Sequence, residues 1–380
     1  MPNLTLEQFE KLKRNTLFGR YISLEMITPI LEELSKKCQV TVVGNSVEGR
    51  PIHSIQIGDG QKKVLFWSQM HGNESTTTKA ILDLLHDMTM NSKSYSVILE
   101  TCTLCVIPML NPDGAEHYTR VNANSIDLNR DAQDLSQPES RVLKAVFEDF
   151  KPNYCFNLHG QRTIFGAGTE GQSAVVSFLA PAFNESCDTN DTRLEAMAII
   201  GSIVKDLQVE LSGKIGLYDD AFNINCVGDT FQNKGIPTIL FEAGHYPEDY
   251  DREVTRYYIF RALFKALEVI ANGVDLEKAN VYKALPLNAK CFYDVIFRNV
   301  KVSENTESTD VAFQFEERLA HKQIDFIPKV AQIGNLQNHF GHKEFERKGG
   351  LILSEYGDKL SVDNEIVFVT LNSEKILIKS

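Results

Sequence analysis

A chain of 380 residues, 43% of them hydrophobic, can fill more than one core, and a formal charge of −12 gives a surface that repels nucleic acid and anionic lipid. No run of about 18 apolar residues occurs, so no membrane-spanning helix is expected, and residues 1–15 lack the apolar stretch of a secretory signal. Seven scattered cysteines, an odd count, suit reduced thiols better than a disulfide framework, and a cytoplasmic setting is the expectation.

Residues 1–40 read as a helical lead-in, with Leu6, Phe9, Leu12, Ile30, Leu31 and Leu34 at helix spacing and Thr28-Pro29 starting a second helix. Strands follow over Val40 to Val43, Ile52 to Ile57 and Lys62 to Trp67, the first ended by a turn at Gly44-Asn45-Ser46. A helix over about 75–90 precedes a strand over Leu104 to Met109, which stops at the turn Asn111-Pro112-Asp113-Gly114. Cys102 and Cys105 form a lone CxxC inside that apolar run, with no second pair to complete a metal site. A helix begins near Pro138, strand Tyr154 to Leu158 delivers His159-Gly160, and a long helix covers about 191–212. Strand Thr238 to Phe241 delivers Glu242, and a helix over 251–272 closes the unit.

Strands alternating with helices predict an α/β domain with a mixed sheet over residues 41–275. After Asn272-Gly273 the character changes. Runs at Phe292 to Phe297, Val311 to Phe315, Ile324 to Ile327, Leu351 to Leu353, Ile366 to Leu371 and Lys375 to Lys379 predict a small β domain over 285–380. Turns are expected at Gly349-Gly350 and Gly357-Asp358.

In α/β sheets ligands gather at the carboxyl ends of strands. Here four such ends carry His71 and Glu74, the Asn111 turn, His159, and Glu242. Two imidazoles and a carboxylate match the ligand count of a zinc site that keeps one position open for water. A carboxylate that is not a ligand can take that water's proton, and Glu242 is the candidate. Arg120 can polarise a carbonyl, and Arg130 beside Asn129 offers a fork for a substrate carboxylate.

Each residue has a plainer role open to it. His159 beside Gly160 suits a core histidine, Glu242 an ion pair, Asn129 a helix cap, and 120–124 a solvated loop. His245 hydrogen-bonds near the site on this reading, and His339 and His342 are surface histidines. The conjunction, rather than any one motif, favours chemistry.

The series His71-Gly72-Asn73-Glu74, Asn111-Pro112-Asp113-Gly114, Arg120, Asp127-Leu128-Asn129-Arg130, Leu158-His159-Gly160 and Phe241-Glu242 resembles the zinc carboxypeptidase family, related to the succinylglutamate desuccinylases and aspartoacylases. Val43 to Ile52 looks like the family's lead-in, and the resemblance covers roughly 40–270. It implies an eight-stranded mixed sheet with helices on both faces, and one zinc ion on His71, Glu74 and His159. It further implies Glu242 as base and proton shuttle, Arg120 on the scissile carbonyl, Asn129 and Arg130 on the terminal carboxylate, and a mobile tyrosine for which Tyr218 is the candidate. The loop 223–233 falls where the family shapes its specificity pocket. The implied substrate is a peptide or N-acyl amino acid with a free carboxylate, with no nucleic-acid or membrane partner. The alternatives are an N-acyl amino-acid deacylase, a murein-peptide amidase, or a non-catalytic zinc-binding protein.

Overall fold

The computed structural model describes residues 4–372 and 374–378; the first three positions of the helical lead-in and Lys379 of the last predicted strand lie outside the described residues. The chain divides into two compact units. One holds the residues up to Gln161 together with Ala174–Leu287, and the other holds Arg162–Ser173 and the residues from Asn288 onward. The chain therefore leaves the first unit just after His159 and returns twelve residues later.

The first unit is built on an eight-stranded mixed sheet. Its strands are β1 (Gln39–Asn45), β2 (Pro51–Ile57), β3 (Lys62–Ser68), β4 (Cys102–Ile107), β5 (Tyr154–Gly160), β7 (Val176–Leu179), β8 (Ile215–Leu217) and β9 (Thr238–Ala243), while β6 (Phe165–Ala167) belongs to the second unit. Their order is β1-β2-β4-β3-β5-β9-β7-β8, with β4, β3, β5 and β9 parallel, so that four consecutive strands end on one edge. The expected mixed eight-stranded sheet is the observed one.

Alternation along these strands feeds two cores. Val64, Phe66, Leu104, Val106, Phe156 and Leu158 face α2 (Leu24–Leu34), α3 (Thr76–Met90), α7 (Asp191–Leu207) and α9 (Glu253–Asn272). Leu65, Trp67, Cys105, Ile107 and Cys155 face α6 (Pro138–Phe150) and α8 (Val227–Asn233). Strands with both faces covered read as continuous apolar runs, which is why they were visible in the sequence. Among the described residues no helix is long and apolar enough to cross a membrane.

The structure corrects several local expectations. Helix α2 starts after Ser23 and contains Pro29, the lost N–H bond being offset by burial of Ile27, Ile30, Leu31 and Leu34. Gly44 continues β1 at a bulge, and a Cβ there would meet the Val142 side chain at 2.3 Å. The Asn111 turn opens a short helix, α5 (Pro112–His117), and 227–233 of the supposed loop is α8. The three- and four-residue strands β7 and β8 were too short to read.

Below the sheet, a buried charge network ties the N-terminal segment to α3 and α9. Arg256 and Asp83, both fully buried, pair through Nε (2.6 Å) and Nη2 (2.7 Å), and Arg256 also reaches Leu17 O (2.6 Å) and Glu253 (3.0 Å). Arg14 N donates to the same Asp83 carboxylate (2.8 Å), and Lys79 Nζ donates to Gly19 O (2.8 Å). Short helices α1 (Leu6–Leu12), α4 (Ser96–Thr101) and α10 (Ala279–Lys283) complete the unit.

The second unit pairs β6 with β10 (Asn288–Lys290) and carries a six-stranded sheet. Its order is β13 (Gln323–Gly334), β12 (Thr309–Ala320), β11 (Phe292–Lys301), β14 (Phe340–Leu353), β15 (Phe368–Leu371) and β16 (Glu374–Leu377). Gly349-Gly350 lies inside β14 rather than at a turn; Lys348 and Gly349, both at positive φ, form a bulge there. His342 is half-buried, not a free surface residue. It stacks on Phe292 and donates through Nε2 to Thr163 O (2.8 Å), holding the segment that follows β5.

Two predictions follow from buried charge. Asp83→Ala strips Arg256 of its bidentate partner, leaving it the single ion pair to Glu253, and should cost about 3 kcal/mol by chemical denaturation, whereas Asp83→Leu combined with Arg256→Met should cost less. Burial pushes the Asp229 carboxyl in α8 up to about 6. The folded chain then holds a proton the unfolded chain has released between about pH 4 and 6, so this group opposes folding above pH 6 and ceases to as pH falls. Asp229→Asn should raise the melting temperature at pH 7.5, and the gain should fade toward pH 4.

Candidate metal and catalytic site

The site begins with a backbone kink. Gln69, directly after β3, is fully buried and adopts a positive φ of 49°. Its amide donates to Ile22 O and Gly72 O, both at 2.8 Å, which holds that uncommon conformation and swings the chain away from the strand line. Glu74 N then bonds His71 O (3.0 Å), a tight turn that brings the two side chains to one side. Gly72 has to be glycine because a Cβ would lie 1.9 Å from the Gly114 backbone. The Asn111 side chain receives Gly114 N (2.8 Å) and donates to Met70 O (3.1 Å). Asp113 receives Ser46 Oγ, Glu48 N and Arg50. The Asn-Pro-Asp-Gly motif is thus the buttress of the His-Gly-Asn-Glu corner.

Against that corner stands the end of β5. His71, Glu74 and His159 bring one potential ligand atom each within 4.8 Å of one another. Glu74 spans the pair, with Oε1 2.9 Å from His71 Nδ1 and Oε2 2.9 Å from His159 Nδ1, and it also receives Gly160 N at 3.0 Å. The two Nδ1 atoms are 3.1 Å apart. Two nitrogens on one tetrahedral zinc stand about 3.3 Å apart, given Zn–N distances of about 2.0–2.1 Å. These buried nitrogens and carboxylate oxygens fit zinc in both type and spacing.

Asp127 is the residue that sequence reasoning passed over. Its carboxylate takes His71 Nε2 (3.0 Å) and, through the other oxygen, Arg120 Nε (3.1 Å) and Nη2 (3.0 Å). It therefore leaves His71 Nδ1 facing inward and holds Arg120 beside Glu74, whose Oε1 lies 3.4 Å from Arg120 Nη1. The signal was present in Asp127-Leu128-Asn129-Arg130, but only the last two residues were read for function. Burial works against charge on the Glu74 and Asp127 carboxyls, yet His71 and His159 hold Glu74, and His71 with Arg120 holds Asp127, well below the usual carboxylate range. Burial also pulls the His159 imidazole down, whereas Glu74 and Asp127 lift that of His71.

Glu242 is the register partner of His159 across β5 and β9. It is 7% exposed, and its Oε2 has no hydrogen-bond partner. Burial raises its carboxyl well above the ordinary value; Glu74 raises it further and Arg120 opposes. Tyr218, just after β8, lies close enough to feel Glu242, Glu74 and Arg120, and burial raises its phenol. Asn129 is placed by its N–H on Asp127 (2.9 Å) and by its side-chain oxygen on Val227 N (3.1 Å), which ties it to the start of α8. Arg130 is exposed beside it, with Nη1 on Asn129 O (2.7 Å). His245 is buried and packs on Tyr250, with ring centroids 4.7 Å apart.

The zinc carboxypeptidase family model matches residues 24–168, a span that includes His71, Glu74, Arg120, Asn129, Arg130 and His159 and stops short of Tyr218 and Glu242. Carboxypeptidase 2 of Trichophyton rubrum is 34% identical over 100 residues, 26% of this chain and 19% of that protein. Gamma-D-glutamyl-L-diamino acid endopeptidase 1 of Lysinibacillus sphaericus is 37% identical over 84 residues, 20% of this chain and 21% of that protein. The chain thus spans about a fifth of the length of these relatives. Carboxypeptidase A from Helicoverpa armigera superposes with a TM-score of 0.53 at 19% identity, covering 67% of this chain and 74% of that one, a likeness in fold. It is over residues 24–168, which hold the His71, Glu74 and His159 cluster, that this chain matches the zinc carboxypeptidase family.

Proposed function

We propose that the chain is a zinc-dependent metallocarboxypeptidase that hydrolyses a C-terminal peptide bond or a similar amide, with Glu242 as general base. The observation that carries this reading is the convergence of His71, Glu74 and His159 beside a buried Glu242 carboxylate. His71, Glu74 and His159 would hold one zinc ion. When bound, zinc lowers the pKa of a water to about 7 and withdraws charge from a carbonyl.

The chain's own residues do the rest. Glu242 accepts the proton of the attacking water and delivers it to the departing amine, a transfer favoured by a carboxyl whose affinity for protons burial has raised. Asp127 fixes Arg120 where its guanidinium can meet the scissile carbonyl oxygen. Asn129 and Arg130 receive the substrate's terminal carboxylate, and Tyr218 covers it from the side of Glu242. The seven unpaired cysteines suit the expected cytoplasmic setting.

A second reading keeps the same machinery and changes the amide. The likeness to a gamma-D-glutamyl-L-diamino acid endopeptidase favours a murein-type peptide over an N-acyl amino acid. A panel of C-terminally varied peptides, murein tripeptides and N-acyl amino acids separates these substrates.

Glu242→Gln should abolish hydrolysis while zinc content stays at the level of the unaltered chain; retained turnover would refute the base assignment. Arg120→Ala should lower kcat by about 100- to 1000-fold, the usual cost of losing one oxyanion donor, with a smaller change in KM.

A further inference from the structure

Behind the catalytic corner, between α6 and α8, the first unit holds a pocket of about 110 Å³ that opens to the surface. Met70, Leu110, Leu128, Leu143, Phe147 and Phe231 give it an apolar lining, and Lys144 and Lys234 also border it. None of the residues assigned to the catalytic site lines it. Two of its walls are nevertheless their chain neighbours, since Met70 precedes His71 and Leu128 lies between Asp127 and Asn129. A third, Val227, donates its N–H to Asn129.

A pocket with such a lining has the size and character to accept a small apolar group, and Gln133, Ser140 and Thr230 add polar atoms at its wall. An apolar cavity of about 150 Å³ accepts benzene, and this one is of the same order. The two lysines add a preference. Lys234 is exposed, and Lys144 is half-buried and pairs with Glu148 on its own helix, a carboxylate that Lys234 also draws on. A surface pair of this kind is worth little and yields readily to a competing carboxylate. We infer that the cavity is a second, non-catalytic ligand site for a compact aromatic or branched carboxylate, its apolar group between α6 and α8 and its anion at Lys144 and Lys234.

The protein carries its own reporter for this site. Phe147 stacks on Phe231 with centroids 4.0 Å apart, and Phe231 meets Trp67, the chain's single tryptophan, edge-on at 5.4 Å. A group entering the cavity disturbs that stack next to an otherwise solitary fluorophore. The inference stands whether or not the catalytic site hydrolyses peptides, since its readout is binding.

The test is a fluorescence titration of the full chain with 3-phenylpropionate. A saturable change in Trp67 emission is expected, weakened about fivefold by Lys144→Ala with Lys234→Ala and abolished by Ala132→Phe, which fills the cavity. Arg130→Ala, at the proposed substrate-carboxylate anchor, should leave the change intact. Absence of a saturable response, its survival in Ala132→Phe, or its loss in Arg130→Ala would overturn the inference. Should Ala132→Phe fail to fold, Leu143→Ala enlarges the cavity instead and should favour 2-naphthylacetate over 3-phenylpropionate; unchanged preference would equally overturn it.

Discussion

Hydrogen bonding between two parallel strands is the constraint on which this molecule's chemistry rests. The ladder of β5 and β9 sets His159 opposite Glu242, and the ladder of β3 and β5 sets Ser68 opposite Leu158, one step before the corner that carries His71 and Glu74. A slip of one residue in either ladder would turn these side chains toward the opposite core. The apolar residues that alternate with them, Phe66, Phe156, Leu158 and Phe241, make that slip costly because they pack against one another and the helices below. The core therefore specifies the site through register.

Electrostatics then refine what register places. Asp127 serves His71 with one oxygen and Arg120 with the other, so a single carboxylate orients both a metal-type ligand and a cation. Glu74 does the same for two histidines. At Glu242 the Oε2 atom has no partner among the described residues, and the contrast with the well-paired Glu74 separates a carboxylate that stays charged from one that seeks a proton. Just beyond His159 the chain passes into the second unit, where Thr163 is held by His342 and Gln314. Gln161 is pinned within the first unit by Ala243, Ala174 and Arg252, so the ligand strand is fixed before that excursion begins.

Much of this was legible in the sequence where burial writes a continuous apolar run. Strands β3, β4, β5 and β9 could be read, and with them the four strand ends that converge. What could not be read was short or non-local. Strands β7 and β8 have too few residues for a period to show, and α8 hides in a polar stretch whose buried side is carried by Val227 and Phe231. Pro29 suggested a helix start because local propensity knows nothing of the core that holds α2 together. The charge network around Asp83 and Arg256 joins residues far apart in sequence, and nothing in either neighbourhood announces the other. Gln69 and Gly72 matter through backbone conformation and close approach, which single-letter patterns record only as an unremarkable Gln and a Gly.

The central claim is that His71, Glu74 and His159 together hold one zinc ion. Zinc content of the purified chain and of its His159→Ala variant, measured by elemental analysis after dialysis, tests it most directly. One zinc per chain in the first and essentially none in the second is the predicted result. Stoichiometric zinc that survives the loss of His159, or an unaltered chain that takes up no metal, would contradict it.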